Sequence, residues 1–146
     1  MARACADELT IAPLSGASQV QHELLGQAQA DVQGILEYVG TEAFKSDPRM
    51  GGEVRNVYKV GLNTSRLLLA AGDLVVGWLL LREAEVAQEA LTSRGYELSS
   101  KDRDFYTGKV AAARFYARNV LPRLAAERAI AEGTDDSIMD VPESAF

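Results

Sequence analysis

One cysteine, Cys5, and one histidine, His22, are the only thiol and imidazole groups in the chain. They exclude a Cys/His zinc site, a CxxC redox pair and a disulfide framework. Acid–base chemistry would therefore fall to carboxylates. Glu83, Glu85 and Glu89 lie close together, but a general base needs a cleft and a shifted proton affinity. A solvated helix face accounts for the same spacing, so no catalytic carboxylate is nominated. Gly108-Lys109 lacks the upstream glycines of a phosphate-binding loop, and Asn63-Thr64-Ser65, although a glycosylation sequon in form, falls inside a helical pattern. Asp73 says more. Leu69, Ala70, Val76 and Gly77 surround it on a helix, and a carboxylate in apolar surroundings needs a partner. Asn63, Arg66 and Arg114 can supply one, which makes Asn63, Arg66, Asp73 and Arg114 a candidate polar cluster that fixes helix register. No catalytic, cofactor-binding or metal-ligating residue is assigned.

The elements that would position these groups are helices. From Ser18 onward the apolar period is three to four residues, and no alternation of period two persists. Val20, Leu24, Ala28, Val32, Ile35 and Val39 form a first stripe, widened by Leu25 and Leu36, with Gln21, Gln27, Gln29 and Glu37 opposite. The run SDPRMGG at residues 46–52 should end this helix near Lys45. A second, very long helix is expected over residues 53–94, its seam running through Val54, Val57, Tyr58, Gly61, Ser65, Leu68, Gly72, Val76, Leu79, Glu83, Ala87 and Leu91. Such a helix reaches on the order of 60 Å. Ser100 and the acidic residues Asp102 and Asp104 mark the start of a third helix, with Phe105, Tyr106, Phe115 and Tyr116 as an expected core layer. Pro122 should kink it between Arg118 and Pro122. The pattern predicts an all-α antiparallel bundle of three main helices, one very long, with a short C-terminal turn or helix. Its parts are an irregular segment at 1–17, the bundle at 18–133 and a tail at 134–146.

The 146 residues are 47% hydrophobic and 25% charged, an ordinary globular composition for one domain. A formal net charge of −6 disfavours nucleic-acid binding. The start of the chain has no apolar core of a signal peptide, which leaves the cytoplasm as the expected compartment. Residues 67–81 (LLLAAGDLVVGWLLL) are shorter than the ~20 residues of a bilayer span and contain Asp73, so no membrane span is expected. Leu67, Leu69, Leu74, Leu80 and Leu81 nevertheless cannot all point into one seam. Part of this surface should face a partner. The costly helix glycines Gly61, Gly72 and Gly77 suggest close helix packing, and Trp78 fits either a core or an interface.

Residue order adds a resemblance. YKVGLNTSRLLLAAGDLVVGWLLLREAEVAQEAL at 58–91, DRDFYTGKVAAARFYARNVLPRLAAERAI at 102–130 and MDVPESAF at 139–146 resemble the C-terminal, acetyl-CoA-dehydrogenase-like domain of large bacterial acyl-CoA dehydrogenases. The first helix fits in pattern only. The resemblance implies an accessory helical domain of an enzyme whose core binds FAD and uses a glutamate to take the α-proton of an acyl-CoA. No catalytic residue of the family falls on a position present here, so this chain alone is expected to carry no FAD and no activity. Its expected partners are a dehydrogenase core or a second copy of itself. Two other readings remain open: a subunit of a split dehydrogenase that works with a flavin-carrying partner, and a free-standing oligomerisation module.

Overall fold

The computed structural model describes residues 16–94 and 97–145, and these are helical or turn with no strand among them. The main helices are α1 (Gly16–Lys45), α2 (Val57–Ser93), α3 (Ser100–Asn119) and α4 (Arg123–Glu132). Single 3-10 turns lie at Pro48–Met50, Val54–Asn56, Ser137–Asp140 and Glu143–Ala145. The all-α expectation holds. The first helix starts two residues earlier than its pattern suggested, and the rest of the expected irregular segment 1–17 lies outside the described residues.

The helix boundaries follow from local chemistry. After Lys45, the Asp47 carboxylate accepts from the Arg49 amide at 2.9 Å. Pro48 opens the 3-10 turn, and Gly51 closes it at φ 76°, a left-handed conformation that costs glycine little. The Glu53 amide then donates to the Lys45 carbonyl at 2.9 Å and sets the return into α2. The cap of α3 is Ser99, one residue before the expected Ser100: its hydroxyl accepts from the Asp102 amide at 3.2 Å and donates to the Asp102 carboxylate at 2.7 Å. Pro122 interrupts the third helix. With no N–H at that position, the Val120 and Leu121 amides both close on the Tyr116 carbonyl, at 2.9 and 3.3 Å, and a new helix starts at Arg123.

Packing divides the chain into two compact units, one formed by residues 1–27 and 76–122 and the other by 28–75 and 123–146. In the first, Leu25, Leu81, Ala84, Ala87, Ala113, Ala117 and Leu121 are buried. α2 and α3 run antiparallel there, since Glu83 meets Lys109 at 2.7 Å while Gly77 meets Leu121. A methyl group at Gly77 would come within 2.8 Å of a Leu121 methyl, so this glycine serves close packing. In the second unit the buried residues include Ala28, Ile35, Asn63, Ala70, Leu124 and Ala131. Arg66 of α2 pairs there with Glu127 of α4, and Asp31 of α1 lies 3.8 Å from Arg128 of α4.

Three expectations about faces are corrected. Gln21, placed on the polar side of α1, is 5% exposed, whereas Val20 and Leu36 are exposed: the buried stripe is turned toward Gln21, Leu25, Ala28, Asp31, Ile35 and Glu42. Phe105 and Phe115 are exposed and form no core layer, because α3 turns Ala113 and Ala117 inward and these aromatics lie on other sides of the helix. The expected seam of α2 is likewise turned outward. Val54, Val57, Tyr58, Leu68, Val76 and Leu79 are exposed, while Asn63, Ala70, Gly77, Leu81 and Ala84 line the buried side.

Candidate functional site

Two features of the second unit stand out: a polar clasp that closes around residue 134, and an uncovered face of α2. The clasp starts at Asn63, which is 1% exposed. Its amide donates to the Lys59 carbonyl and to the Thr134 hydroxyl, both at 3.0 Å. Arg66 Nε donates to the Asn63 side-chain Oδ1 at 3.3 Å, and its guanidinium pairs with Glu127. Tyr38 donates to the Thr134 carbonyl at 3.1 Å. One turn along α1, Glu42 is buried between Lys45, at 2.8 Å, and Lys59, at 3.5 Å. The hydrogen bond from Lys45 outweighs burial and holds the Glu42 carboxyl below the usual carboxylate range. Burial, aided by the Glu42 charge, pushes the Tyr38 phenol up and favours the protonated form that donates. Arg55 binds Asp136 and, at 2.8 Å, Asp140, fastening the turn at 137–140.

Of the sequence-nominated residues, Asn63 and Arg66 meet directly. Asp73 is half-buried on the same helix, and Arg114 is exposed and belongs to the other unit. Tyr38, Glu42, Glu127 and Thr134 were not nominated. They come from α1, α4 and the segment after α4, and a helical period carries no signal for contacts between elements that far apart in sequence. Every buried side-chain nitrogen and oxygen among the described residues has a hydrogen-bond partner. The buried polar atoms of the clasp are thus saturated.

The uncovered face is apolar. Leu68 and Leu69 are each 72% exposed, and Leu62 and Val75 are exposed with them. Gly61 and Gly72 lie among these side chains with no neighbour within 4 Å of the place a side chain would occupy. An exposed helix glycine costs ~1 kcal/mol relative to alanine, so packing inside the chain does not explain either one. By length and composition residues 54–93 suffice to cross a membrane, with a mean hydropathy of 1.5 in the most apolar window, of which 17% is buried.

The first unit holds an open groove of about 530 Å³ between Arg82, Glu83 and Val86 of α2 and Phe105, Tyr106 and Lys109 of α3. Its charges are internally balanced. Lys109 pairs with Glu83 at 2.7 Å and sits 5.6 Å over the Phe105 ring, and Arg82 lies 3.3 Å from Glu85. Glu85 also meets His22 at 3.0 Å. No group of three or more metal-ligating side chains occurs among the described residues.

A long second helix, a proline-broken third helix and a clasped C-terminal segment define an all-helical fold. The chain belongs to the family described as acetyl-CoA dehydrogenase C-terminal like, which it matches over residues 1–142. The match takes in residues 1–17, where the sequence offered no helical pattern. The chain is similar to the broad-specificity linear acyl-CoA dehydrogenase FadE5 of Mycobacterium tuberculosis, 39% identical over 132 residues that make up 90% of this chain and 20% of that protein. It is also similar to two butyryl-CoA dehydrogenases of Syntrophomonas wolfei. One is 37% identical over 91 residues, covering 62% of this chain and 15% of the relative, and the other 33% identical over 85 residues, covering 58% and 14%. The chain therefore spans a fifth or less of the length of these relatives.

Proposed function

We propose that this chain serves as the accessory C-terminal helical domain of a flavin-dependent acyl-CoA dehydrogenase, contributing domain and subunit contacts while the flavin and the catalytic base reside in the part of the enzyme it does not span. The observation that carries this reading is the uncovered aliphatic face of α2, joined to a family match over nearly the whole chain. A contact domain needs apolar surface that its own fold leaves open. It needs no enclosed polar site, and the saturated clasp fits a structural role. The surroundings are those of a soluble cytoplasmic enzyme, in which the apolar stretch of α2 meets protein and not lipid.

The test is direct. Purified alone, the chain should show no flavin absorbance and no acyl-CoA-dependent reduction of an electron acceptor. Added to a FadE5-type enzyme from which the matching fifth has been removed, it should bind. Turnover of an acyl-CoA by the isolated chain would overturn the proposal.

A further inference from the structure

We infer that residues 135–145 form a strap, pinned to the second unit by Arg55, that opens and closes as one piece while the helices stay folded.

The strap begins where burial ends. Thr134, just past α4, is held from two sides: the Asn63 amide donates to its hydroxyl at 3.0 Å and the Tyr38 hydroxyl to its carbonyl at 3.1 Å. Beyond it, every residue from Ser137 to Ala145 is exposed, the apolar Ile138, Met139 and Val141 included. No buried apolar side chain ties this segment to the helices, and elements without such contacts open at a lower free energy than the core.

Charge also favours opening. Asp135, Asp136, Asp140 and Glu143 are four carboxylates in eleven residues that contain no Lys or Arg, in a chain whose net charge is already −6. The rest of the chain therefore repels the segment. Arg55 opposes that repulsion. Its guanidinium binds the Asp136 carboxylate, donates to the Asp136 carbonyl at 3.1 Å and reaches the Asp140 carboxylate at 2.8 Å, so one side chain grips both ends of the turn at Ser137–Asp140. The pin itself is fixed. Next to it, the Asn56 side-chain amide donates to the Lys45 carbonyl at 3.2 Å, and the Glu53 amide donates to the same oxygen.

The other hydrogen bonds of the segment, among the described residues, are internal. Ser137 donates twice to the Asp135 carboxylate, the Met139 amide to Asp136, the Val141 amide to Ile138 and the Ala145 amide to Pro142. These bonds survive when Arg55 lets go, which is why the segment moves as a piece. Ion pairs as exposed as those of Arg55 contribute little, so the strap has two accessible states. Closed, it occupies Arg55; open, it releases that guanidinium and its own acidic run, each to be engaged separately.

Amide hydrogen exchange of the full chain, followed residue by residue by NMR, tests the inference. In the wild type the Met139, Val141 and Ala145 amides should exchange roughly tenfold or more faster than those of α4. Arg55→Ala should speed those three by a further factor on the order of ten, with Thr134, α2 and α4 unchanged. Arg55→Glu combined with Asp136→Lys and Asp140→Lys should recover most of the wild-type protection. Strap amides as protected as α4 in the wild type, or unaffected by Arg55→Ala, overturn the inference. So does faster exchange that spreads into α4, or a charge-swapped chain that recovers nothing.

Discussion

The two sides of α2 follow opposite rules. The inward side presents Asn63, Ala70, Gly77, Leu81 and Ala84, mostly small, and the outward side presents Leu62, Leu68, Leu69, Val75 and Leu79, mostly large. Small residues inside leave room for the side chains of neighbouring elements, as Gly77 does for Leu121. The bulk of the aliphatic volume is left for something outside the chain. The more hydrophobic face of a helix is therefore not always the one its own fold buries.

The largest test of this contrast is a volume exchange between the two sides. Ala70 is 2% exposed, so Ala70→Leu should destabilise the fold by roughly 1–3 kcal/mol in urea unfolding. Leu68→Ala should stay within ~0.5 kcal/mol for the monomer. The reverse order would show that the sides have been assigned the wrong way round. A smaller effect of opposite sign comes from the glycines. Gly72→Ala, with open space around it, should stabilise the monomer by ~1 kcal/mol through helix propensity. Gly77→Ala should show no such gain, because the added methyl meets Leu121.

The smallest expected effect concerns the polar part of the same unit. Glu42 has its pKa lowered in the fold, chiefly by the Lys45 hydrogen bond. Its contribution is therefore complete above the ordinary glutamate value and is lost as the pH falls through the lowered one. Glu42→Gln should flatten part of the acid limb of a stability–pH curve. An unchanged slope would mean that the pair with Lys45 and Lys59 contributes nothing to stability.

Much of the architecture was legible in the sequence. Pro48, Gly51 and Gly52 marked the turn after α1, and Pro122 marked the place where a kink was expected and the chain breaks into α3 and α4, because proline and glycine act through local backbone geometry. The direction each helix faces was less legible. Hydrophobic periodicity locates the side of a helix that avoids water, and on α2 that side is the uncovered one. The inward side is signalled only by alanine, glycine and one asparagine, which hydropathy scarcely distinguishes from surface. For the candidate site, the spacing of Asn63 and Arg66 on one helix was readable, and the two do meet. Thr134 and Glu127, which complete the clasp, lie more than 60 positions away along the chain, beyond the reach of any local pattern.

Seven of the twelve buried hydrophobic residues among those described are alanines. The heat-capacity change of unfolding follows the apolar area released to water, and alanine releases little. The chain by itself should accordingly have a flat stability curve, with a modest maximum and weak dependence on temperature. Once a partner covers the leucines of α2, the curve should deepen and steepen, so that the thermal behaviour of this helix set belongs to the assembly more than to the single chain.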